Sequence, residues 1–512
     1  MTAIDSTTAI GKSRTVAVVG TGTMGQGIAQ VALVAGHPVR LHDAVPGRAQ
    51  EAAETIGGRL DRLVEKGRMT PAERDAARGR LLPATDISEL ADAALVVEAV
   101  LEQLTVKQEL FTALEKTVAD DCLLATNTSS LSVTAVAGAL RSPGRFVGLH
   151  FFNPAPLLPL VEVVSGHATD EAAAERALAT VAAWGKTPVR CADTPGFIVN
   201  RIARPFYAEA FAVHEERGAD PATIDAVLRE CGGFRMGAFE LTDLIGQDVN
   251  EAVTRSVWDS FFQSPKFTPS LAQRRLVESG RHGRKSGHGW FSYAQGAERP
   301  RPQTQPPAAA PTSVVVQGDL GPAEPLVELI ERAGITVHRG EGDGCISLPG
   351  GAELGLVDGE TSFEFDDGIV YFDLALDYEK ATRIALSTSE STLRNMPGAV
   401  EEAVGLFQAL GKDVSLIGDV PGMIVARTVA MLADFAADAV DRGVASGPDI
   451  DTAMKLGVNY PAGPLEWGEK LGFQRVRALL DALHERYPTG RYAPSLATAR
   501  RACADSDEAG GR

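Results

Sequence analysis

Features typical of secreted, membrane-spanning and metal-binding proteins are scarce in this sequence. Its 512 residues include five cysteines, an odd number, and none belongs to a C-x-x-C pair. This pattern predicts neither a disulfide framework nor a zinc site. The first fourteen residues contain no apolar core of a signal peptide, and no run of 18 apolar residues follows, so no membrane-spanning helix is expected. We therefore expect a cytoplasmic protein without a bound metal.

Positive charge is also in short supply. Acidic side chains outnumber lysine and arginine by 67 to 49, which gives a formal net charge of −18. Such a charge argues against nucleic acid and anionic membranes as general partners, and an anionic ligand would need a local basic patch. With 44% hydrophobic residues, a chain of this length is sufficient for about two to four globular domains.

The first motif is a glycine-rich turn between an apolar strand and a helix. The strand TVAVVG leads into GTGTMGQG, where Gly20, Gly22 and Gly25 have G-x-G-x-x-G spacing and enclose Thr23 and Met24. Glycines at these positions permit a tight turn and the close approach of a pyrophosphate, and the helix N-terminus attracts its charge. Strand, glycines and helix in this order predict a dinucleotide site.

An acidic residue completes this pattern. The strand PVRLHD ends at Asp43, which lies 43 − 25 = 18 residues beyond Gly25. A carboxylate at this position accepts hydrogen bonds from the adenosine ribose hydroxyls, and it favours NAD over NADP. Arg48 is close enough in sequence to leave NADP open.

A second motif occupies residues 145–164, RFVGLHFFNPAPLLPLVEVV. Two apolar runs flank a proline-containing loop, which predicts two neighbouring strands. If the strands pair antiparallel about Pro156, opposite residues have numbers that sum to about 312, and for His150 and Glu162 150 + 162 = 312. Cross-strand Cβ atoms lie roughly 4.5–5.5 Å apart, so the carboxylate would orient the imidazole as in a His general base. A structural pair that closes the loop explains the pattern equally well.

Polar residues follow two further buried strands, in residues 94–100 and 121–130. Ligands of open parallel sheets bind beyond the carboxyl ends of the strands. Glu102, Asn127 and Ser129, with Ser130, are therefore expected near a cofactor or substrate. Taken alone, Ser129 is better explained as the N-cap of the helix that follows it.

Helical patterns dominate after about residue 194. Thr194 followed by Pro195 predicts a capped helix start, with Asn200 close to that start. A helical domain beside a nucleotide-binding domain forms a cleft where substrates usually bind. Residues 47–80 form a polar helical excursion whose cations include Lys66; a solvated helix face explains this cluster better than an anion-binding surface does.

The second half of the chain repeats parts of the first. Residues 296–312 contain five prolines and predict an extended linker. Beyond it, GKDVSLIGDVPGMIVAR at 411–427 parallels GKTPVRCADTPGFIVNR at 185–201, with an offset of 411 − 185 = 226, and Ala426 takes the place of Asn200. Residues 313–400 have the pattern of a nucleotide fold without its glycine motif. The segment TRIALSTSES echoes LLATNTSSL, so the His/Glu strands are expected to be missing from a non-catalytic second half.

Taken together, these motifs resemble the 3-hydroxyacyl-CoA dehydrogenase family over residues 14–293. The resemblance rests on VVGTGTMGQGIA, VVEAVLEQLTVKQELF, ATNTSSLSV, GLHFFNPAPLLPLVEVV, DTPGFIVNRI and GRKSGHGWFSY. It implies that His150 is the general base, that Glu162 orients it, and that Ser129 and Asn200 hold the substrate oxygen. The resemblance further implies cofactor contacts for Gly20, Gly22, Thr23, Met24, Gly25, Asp43, Glu102, Lys107, Asn127, Ser129 and Asn153, and coenzyme A binding for Lys66.

We accordingly expect an α/β Rossmann domain followed by an all-α domain, then a degenerate Rossmann-like segment and a second all-α copy. The predicted boundaries are 14–193 for NAD binding, 194–295 for substrate and dimer contacts, 296–312 for the linker, 313–415 for the degenerate segment, 416–500 for the second helical domain and 501–512 for a tail.

The expected reaction is NAD-dependent oxidation of a (3S)-3-hydroxyacyl-CoA to the 3-oxoacyl-CoA, and the reverse, by a homodimer. The acyl chain is expected to be short or dicarboxylic, because the chain is similar to the long bacterial form of the family that acts in phenylacetate degradation. Two alternatives stay open, namely a dehydrogenase of free hydroxy acids and a recruited NAD-binding protein without enzyme activity. A requirement for the coenzyme A thioester distinguishes the first alternative, and loss of turnover with NAD binding retained distinguishes the second.

Overall fold

A computed structural model describes residues 6–365 and 367–510 of the chain. The first five residues, which belong to the segment without a signal-peptide pattern, and residues 511–512 of the predicted tail lie outside the described residues. The chain divides into two compact units. Residues 1–201 with 442–458 form the first unit, and residues 202–441 with 459–512 form the second, so each unit draws on both halves of the sequence. No described helix is long and apolar enough to cross a membrane.

The strands of the described residues are β1 Thr15–Val19, β2 Val39–His42, β3 Leu81–Ala84, β4 Ala93–Glu98, β5 Leu123–Thr126, β6 Phe146–Phe151, β7 Leu160–Ser165, β8 Thr187–Ala192, β9 Ser313–Gln317, β10 Thr336–Gly340, β11 Cys345–Ser347, β12 Glu353–Leu356, β13 Ile369–Phe372, β14 Arg383–Thr388 and β15 Asp413–Ile417.

The α-helices are α1 Thr23–Ala35, α2 Arg48–Glu65, α3 Pro71–Gly79, α4 Leu104–Thr117, α5 Val133–Ala137, α6 Glu171–Ala183, α7 Val199–Ile202, α8 Arg204–Glu215, α9 Pro221–Glu230, α10 Ala238–Ile245, α11 Gln247–Ser260, α12 Leu271–Glu278, α13 Pro325–Arg332, α14 Glu390–Asn395, α15 Pro397–Ala409, α16 Val425–Asp441, α17 Gly447–Gly457, α18 Pro464–Leu471, α19 Phe473–Arg486 and α20 Leu496–Gly510.

The first unit is built on an eight-stranded sheet with the order β3-β2-β1-β4-β5-β6-β7-β8. Every neighbouring pair is parallel except β6 and β7. All residues of β1 and β4 are buried, as expected for parallel strands with helices on both faces. The predicted Rossmann domain is confirmed, and its parallel strands bring the loops after β1, β4 and β5 to one edge of the sheet.

The second unit contains a smaller, seven-stranded sheet with the order β10-β9-β11-β12-β13-β14-β15. The unit β9–α13–β10 corresponds to β1–α1–β2, since β9 and β10 are parallel neighbours. A counterpart of β3 is missing from the described sheet, and β11 runs antiparallel to β9 and β12 where β4 is parallel to its neighbours. This is a reduced Rossmann fold, as the sequence predicted.

One expectation about this second sheet is wrong. The antiparallel strand pair was expected to be missing, yet β13 and β14 pair antiparallel and β14 and β15 pair parallel, as β6, β7 and β8 do. The segment TRIALSTSES therefore corresponds to β7 and not to LLATNTSSL. The apparent likeness to LLATNTSSL reflects a shared pattern of a buried strand that ends in hydroxyl residues, and this pattern does not distinguish one strand of the fold from another.

The predicted repeat is confirmed by the bounds of its helices. The first residues of α9, α10 and α11 lie 226 positions before those of α17, α18 and α19. The last residues of α10 and α11 also lie 226 positions before those of α18 and α19. The first helix differs between the copies. The second copy has one continuous helix, α16, where the first copy has α7 and α8 separated at Ala203.

The proline-rich segment is extended, but it is held along its length by the second unit. The amide of Gln305 donates to the carbonyl of Val414 at 2.8 Å, and the amide of Ala308 donates to the side chain of Gln408 at 2.8 Å. The backbone around Ala309 comes so close to Gly405 that a Cβ on this glycine would overlap it. The segment thus lies along the sheet edge at β15.

Candidate active site

His150 and Glu162 lie opposite each other on β6 and β7, in the predicted register. The imidazole Nδ1 is 2.5 Å from Oε2 of Glu162. The side chain of Glu162 is fully buried and that of His150 is 7% exposed. Because a carboxylate only accepts hydrogen bonds, Nδ1 carries the proton and donates it. Nε2 is left as an acceptor, and it makes no hydrogen bond to the described residues.

The other oxygen of Glu162 caps a helix. Oε1 accepts from the amides of Ile198 and Val199, at 3.0 and 2.9 Å, at the start of α7. With the imidazole, these amides give the buried carboxylate three donors, and such donors offset the cost of removing a charge from water. Glu162 is therefore fixed from two sides, and it fixes His150 in turn.

The prediction that Thr194 caps this helix is wrong. Gly196 and Phe197 have φ angles of 76° and 50°, and this left-handed turn separates Thr194 from the helix start. The hydroxyl of Thr194 is buried and has no hydrogen-bond partner within the described residues. The helix-start amides instead receive their acceptor from Glu162, which is distant in sequence.

Beyond β4 and β5 a buried ionic network supports the loops. Lys107 is 1% exposed, and its Nζ lies 2.5 Å from Glu98 and 3.1 Å from Glu102. Glu98 also accepts from the hydroxyl of Thr126 at 2.7 Å. Glu98 was not predicted as a functional residue; the signal in the sequence was an acid at the end of the apolar strand ALVVE. Burial raises the pKa of Glu102, but the charge of Lys107 and bonds from hydroxyl groups outweigh this and hold it below its usual value.

Ser129 does not cap the following helix, contrary to the interpretation favoured for it alone. Ser132 is the N-cap of α5, and its hydroxyl accepts from the amide of Ala135 at 3.1 Å. The backbone of Ser129 is held instead by Glu102, whose Oε1 accepts from its amide at 3.1 Å. The Ser129 hydroxyl makes no hydrogen bond within the described part of the chain, and it is left for a ligand.

The three predicted asparagines occupy different places. Oδ1 of Asn127 accepts from the amide of Phe151 at 2.9 Å, which ties the end of β5 to the end of β6. Asn153 is exposed in the loop between β6 and β7. Asn200 lies in α7 directly after Val199, whose amide binds Glu162. Strand pairing and helix start thus bring all three near the His150 end of the sheet.

The glycine turn has the shape that a dinucleotide requires. A Cβ on Gly20, where φ is 98°, would lie 2.5 Å from the carbonyl oxygen of Ala99, and one on Gly25 would overlap the carbonyl oxygen of Gly20. Gly22 is different, since a Cβ there would meet no atom within 4 Å and no side chain caps α1 at this residue. The amides of Thr23 and Met24 lie in the first turn of α1, next to the space that Gly22 leaves empty. These residues fit the pyrophosphate of NAD.

Asp43 is placed at the end of β2, beside this turn. Its Oδ2 accepts from the amide and hydroxyl of Thr21 at 2.9 and 2.7 Å. Partial burial raises the pKa of Asp43, but the bonds from Thr21 and Val45 outweigh it and hold the pKa below its ordinary value. The carboxylate is thus ionised at neutral pH, and its contact with a ribose stays a prediction. Lys66, by contrast, lies exposed at the C-terminal end of α2.

Models of known families match most of the chain, apart mainly from its ends and residues 294–353. Residues 15–194 match the NAD-binding domain of 3-hydroxyacyl-CoA dehydrogenase. Residues 196–293 and 422–508 both match the C-terminal domain of that family. The chain belongs to the 3-hydroxyacyl-CoA dehydrogenase family. The predictions of the family, of an NAD-dependent oxidoreductase and of the repeated helical domain are confirmed. Residues 354–421 match the reduced Rossmann-fold domain of 3-hydroxybutyryl-CoA dehydrogenase.

Two similar proteins match this dehydrogenase over nearly its full length, and a third matches its first half. It is 43% identical to 3-hydroxyadipyl-CoA dehydrogenase of Escherichia coli K12 over 496 residues, 96% of this chain and 98% of that protein. A crystal structure of 3-hydroxybutyryl-CoA dehydrogenase from Escherichia coli K12 superposes with a TM-score of 0.88 at 42% identity, covering 97% of this chain and 99% of that one. The 3-hydroxybutyryl-CoA dehydrogenase of Mycobacterium tuberculosis is 40% identical over 282 residues, 54% of this chain and 98% of that protein.

The second half of this dehydrogenase carries a different set of residues at the equivalent site. In the first sheet Glu162 pairs with Val189, and in the second sheet Ala385 pairs with Ser415. Val189 and Ser415 are equivalent residues, because 189 + 226 = 415. Ala385 therefore occupies the position equivalent to Glu162. Asp373 lies opposite Ala385, as His150 lies opposite Glu162. Its carboxyl accepts from the amides of residues 424, 425 and 426, at 3.0, 2.8 and 3.0 Å. The acid at the histidine position thus caps the helix directly.

A small pocket lies close to Asp373, next to Leu374. Apart from Arg475 its lining side chains are apolar: Leu356, Val357, Leu374, Ala426, Ala430, Leu471, Val476 and Leu479. Neither a histidine nor a serine lines it. The second half thus retains the strand pair with Asp373 and Ala385 in place of His150 and Glu162, and its lack of catalytic activity stays a prediction.

Proposed function

We propose that the chain oxidises (3S)-3-hydroxyacyl-CoA to 3-oxoacyl-CoA, and catalyses the reverse, with His150 as base and Glu162 as its orienting acid. The observation that carries this proposal is the buried pair in which Nδ1 is bonded to Glu162 while Nε2 makes no bond to the described residues. An imidazole fixed in this way offers one free basic nitrogen.

His150 takes the proton of the substrate hydroxyl on Nε2 in the direction of oxidation. The imidazolium that forms is stabilised by Glu162, which is itself held by the amides of Ile198 and Val199. NAD, when bound, supplies the hydride acceptor. In the reverse direction, the same Nε2 returns the proton to the carbonyl oxygen.

Ser129 and Asn200 are proposed to hold the substrate oxygen. The Ser129 hydroxyl has no partner among the described residues, and its backbone is fixed by Glu102. A serine hydroxyl and an asparagine amide both donate hydrogen bonds, so they stabilise the oxygen when its negative charge grows. We propose that Lys107 acts through Glu102, because a side chain that is 1% exposed and engaged with two carboxylates has little access to a cofactor.

The proposed cofactor contacts follow the glycine turn. Gly20, Gly22, Thr23, Met24 and Gly25 would bind the pyrophosphate, and Asp43 the adenosine ribose. Asn127 and Asn153 are proposed near the nicotinamide, together with Glu102 and Ser129. Lys66, exposed at the end of α2, is proposed as a contact for the phosphates of coenzyme A.

For the acyl group we propose a dicarboxylic chain first and a short monocarboxylic chain second. The relative that aligns over 96% of this chain is named for 3-hydroxyadipyl-CoA, and the relative with the same fold over 97% for 3-hydroxybutyryl-CoA. Measuring kcat/KM with the matched 3-oxoacyl-CoAs of both classes decides between them. A higher value for the monocarboxylic thioester would reverse the order.

A cytoplasmic location and a homodimer also stay proposals. The five cysteines are free, and three of them, Cys122, Cys191 and Cys231, are buried, which supports a reducing compartment. Sedimentation of the purified chain measures its oligomeric state. A monomer at micromolar concentration would contradict the homodimer.

Replacing His150 by alanine tests the proposed base. We expect kcat to fall on the order of 10²–10⁴-fold, the range for loss of a general base, while the Kd for NAD changes little because the glycine turn is untouched. Stopped-flow kinetics measure kcat and fluorescence titration measures NAD binding. Unchanged turnover in a correctly folded His150→Ala protein would contradict the assignment.

A further inference from the structure

Helix α17 belongs to the second half of the sequence but folds with the first unit. It packs against β7 and β8, and just before it the carbonyl of Val444 accepts from the amide of Ala192 at 2.8 Å. The same bond occurs in the second unit, where the carbonyl of Gly218 accepts from the amide of Gly418 at 2.7 Å. Since 192 + 226 = 418 and 218 + 226 = 444, the two bonds are reciprocal.

These two hydrogen bonds join equivalent segments of the two halves of the sequence, one bond within each unit. Helix α9, the counterpart of α17, packs against β14 of the second sheet. Cys231 follows α9 directly. Its sulfur lies 3.4 Å from the carbonyl oxygen of Leu374, the residue after Asp373. Each helical copy thus lends one helix to the sheet of the other copy.

The C-terminal end of α17 contacts two residues that are close to Glu162. A Cβ on Gly457 would lie 2.8 Å from Cδ2 of Leu160 and 3.0 Å from Cγ2 of Val199. Leu160 is two residues before Glu162 on β7, and alternate residues of a strand share a face. The amide of Val199 is one of the two that bind Glu162. Gly457 therefore packs against the strand that carries Glu162 and against one of the two residues whose amides bind this carboxylate.

We infer that Gly457 is a positioning residue, through which the second half fixes Glu162 and hence His150 in the first half. The inference rests on the proposed function, since it assigns a support to its His/Glu pair. The second half is then required for catalysis although it holds no His/Glu pair of its own.

The reason for a glycine at this position is steric. A side chain at residue 457 would push Val199, whose β-branched side chain is stiff, and would move the amide that holds Glu162. At the equivalent position of the first half, 457 − 226 = 231, the chain has Cys231. There the facing sheet carries Ala385 in place of Glu162, and a larger residue is accommodated.

The test compares Gly457→Ala and Gly457→Val with Glu162→Gln in the full-length chain. Displacement of catalytic groups by about 1 Å lowers rates by up to about 10²-fold. For Gly457→Val we expect a fall in kcat on the order of tenfold, a smaller fall for Gly457→Ala, and a KM for NAD within about twofold. Weaker support from Glu162 disfavours the imidazolium, so the acidic limb of the kcat pH profile should move to lower pH, in the direction of Glu162→Gln.

Cys231→Leu is the matched control, because it enlarges the equivalent position against the second sheet. It should lower the melting temperature while leaving kcat and its pH profile in place. A normal kcat in Gly457→Val, or a reduced kcat without movement of the acidic limb, would overturn the inference while the proposed function stands. An unaltered pH profile in Glu162→Gln would instead refute the proposed pair itself, and the inference with it.

Discussion

The two antiparallel strand pairs of the molecule share one backbone arrangement and differ in what fills it. In the first sheet Glu162 caps the start of α7 and His150 bonds to that carboxylate. In the second sheet Asp373, at the histidine position, caps the start of α16, and Ala385 occupies the position of the glutamate. Both helix starts therefore require a buried carboxylate. Only in the first sheet does that carboxylate come from the neighbouring strand, which leaves room for an imidazole.

The features that both halves retain are those that hold the backbone. The left-handed φ of Phe197 recurs at Met423, 226 residues later, at 49°. Asp193 bonds the amides of α5 at its first turn, and its counterpart Asp419 bonds the amides of residues 362 and 363. Repetition has preserved turns and caps, which every copy needs in order to fold. The His150 and Glu162 pair, which we propose to be catalytic, is present in one copy only.

The largest effect is expected when positions 150 and 162 of the first sheet receive the residues found at the equivalent positions of the second sheet. Glu162→Ala alone should lower the free energy of unfolding by about 1–3 kcal/mol, since it leaves the buried amides of Ile198 and Val199 without an acceptor. Adding His150→Asp should restore part of this loss, because Asp373 shows that an aspartate at this position reaches the amides. Both variants should lose activity by about 10³-fold or more.

Urea denaturation of Glu162→Ala, of His150→Asp and of the double variant gives the coupling free energy between the two substitutions, as a double-mutant cycle. A coupling free energy near zero would mean that the new aspartate does not cap α7, so that the two strand pairs are not equivalent. Recovery of turnover in the double variant would contradict the role of His150.

Replacing Asp373 should lower the stability of the protein without lowering its activity, in contrast to the changes at His150 and Glu162. In Asp373→Ala the amide of Leu374 and the three amides at the start of α16 lose their acceptor, so we expect the free energy of unfolding to fall by about 1–3 kcal/mol. The kcat of the folded protein should stay within about twofold of the original, because no catalytic group is proposed on the second sheet. Denaturation and steady-state kinetics test both statements, and a tenfold loss of kcat without unfolding would be inconsistent with a structural role.

The pH dependence of this effect follows from the same carboxyl. Burial raises the pKa of Asp373 to about 6, more than the bonds from the backbone amides lower it, against an ordinary value of 3.8. The folded state thus binds this proton more tightly than the unfolded state. The stabilisation is complete below pH 3.8 and is progressively lost as the pH rises to about 6. The difference in unfolding free energy between the original chain and Asp373→Ala should therefore be larger near pH 4 than near pH 7.

Much of this architecture was accessible from sequence because the signals are local. The glycine turn, the register of His150 against Glu162 and the offset of 226 depend on spacing along a few dozen residues or on direct repetition. The Rossmann fold of the first domain was predicted from the order of strand, glycine turn, helix, strand and acid. These predictions needed no knowledge of contacts between distant segments.

Most of the missed features depend on contacts between distant parts of the chain. Glu162 accepts from an amide 36 residues later, and Asp373 from one 51 residues later. Nothing near Thr194 in the sequence reveals that Glu162 already serves the helix start. The cap of α5 is a local exception, since Ser132 lies only three residues beyond Ser129. The exchange of α9 and α17 is harder still, since its two backbone hydrogen bonds join residues 444 − 192 = 252 and 418 − 218 = 200 apart. Repetition alone does not say which copy of a helix packs on which sheet.

Thr194 offers the smallest effect and a direct test of the corrected cap. Its counterpart is Val420, since 194 + 226 = 420, so Thr194→Val makes the first half resemble the second. The Thr194 hydroxyl is buried without a partner in the described residues, and removing such a group is neutral or stabilising by up to about 1 kcal/mol. A helix N-cap would instead lose about 1 kcal/mol. Thermal and urea unfolding distinguish the two signs, and a clear destabilisation would mean that Thr194 shares the cap with Glu162.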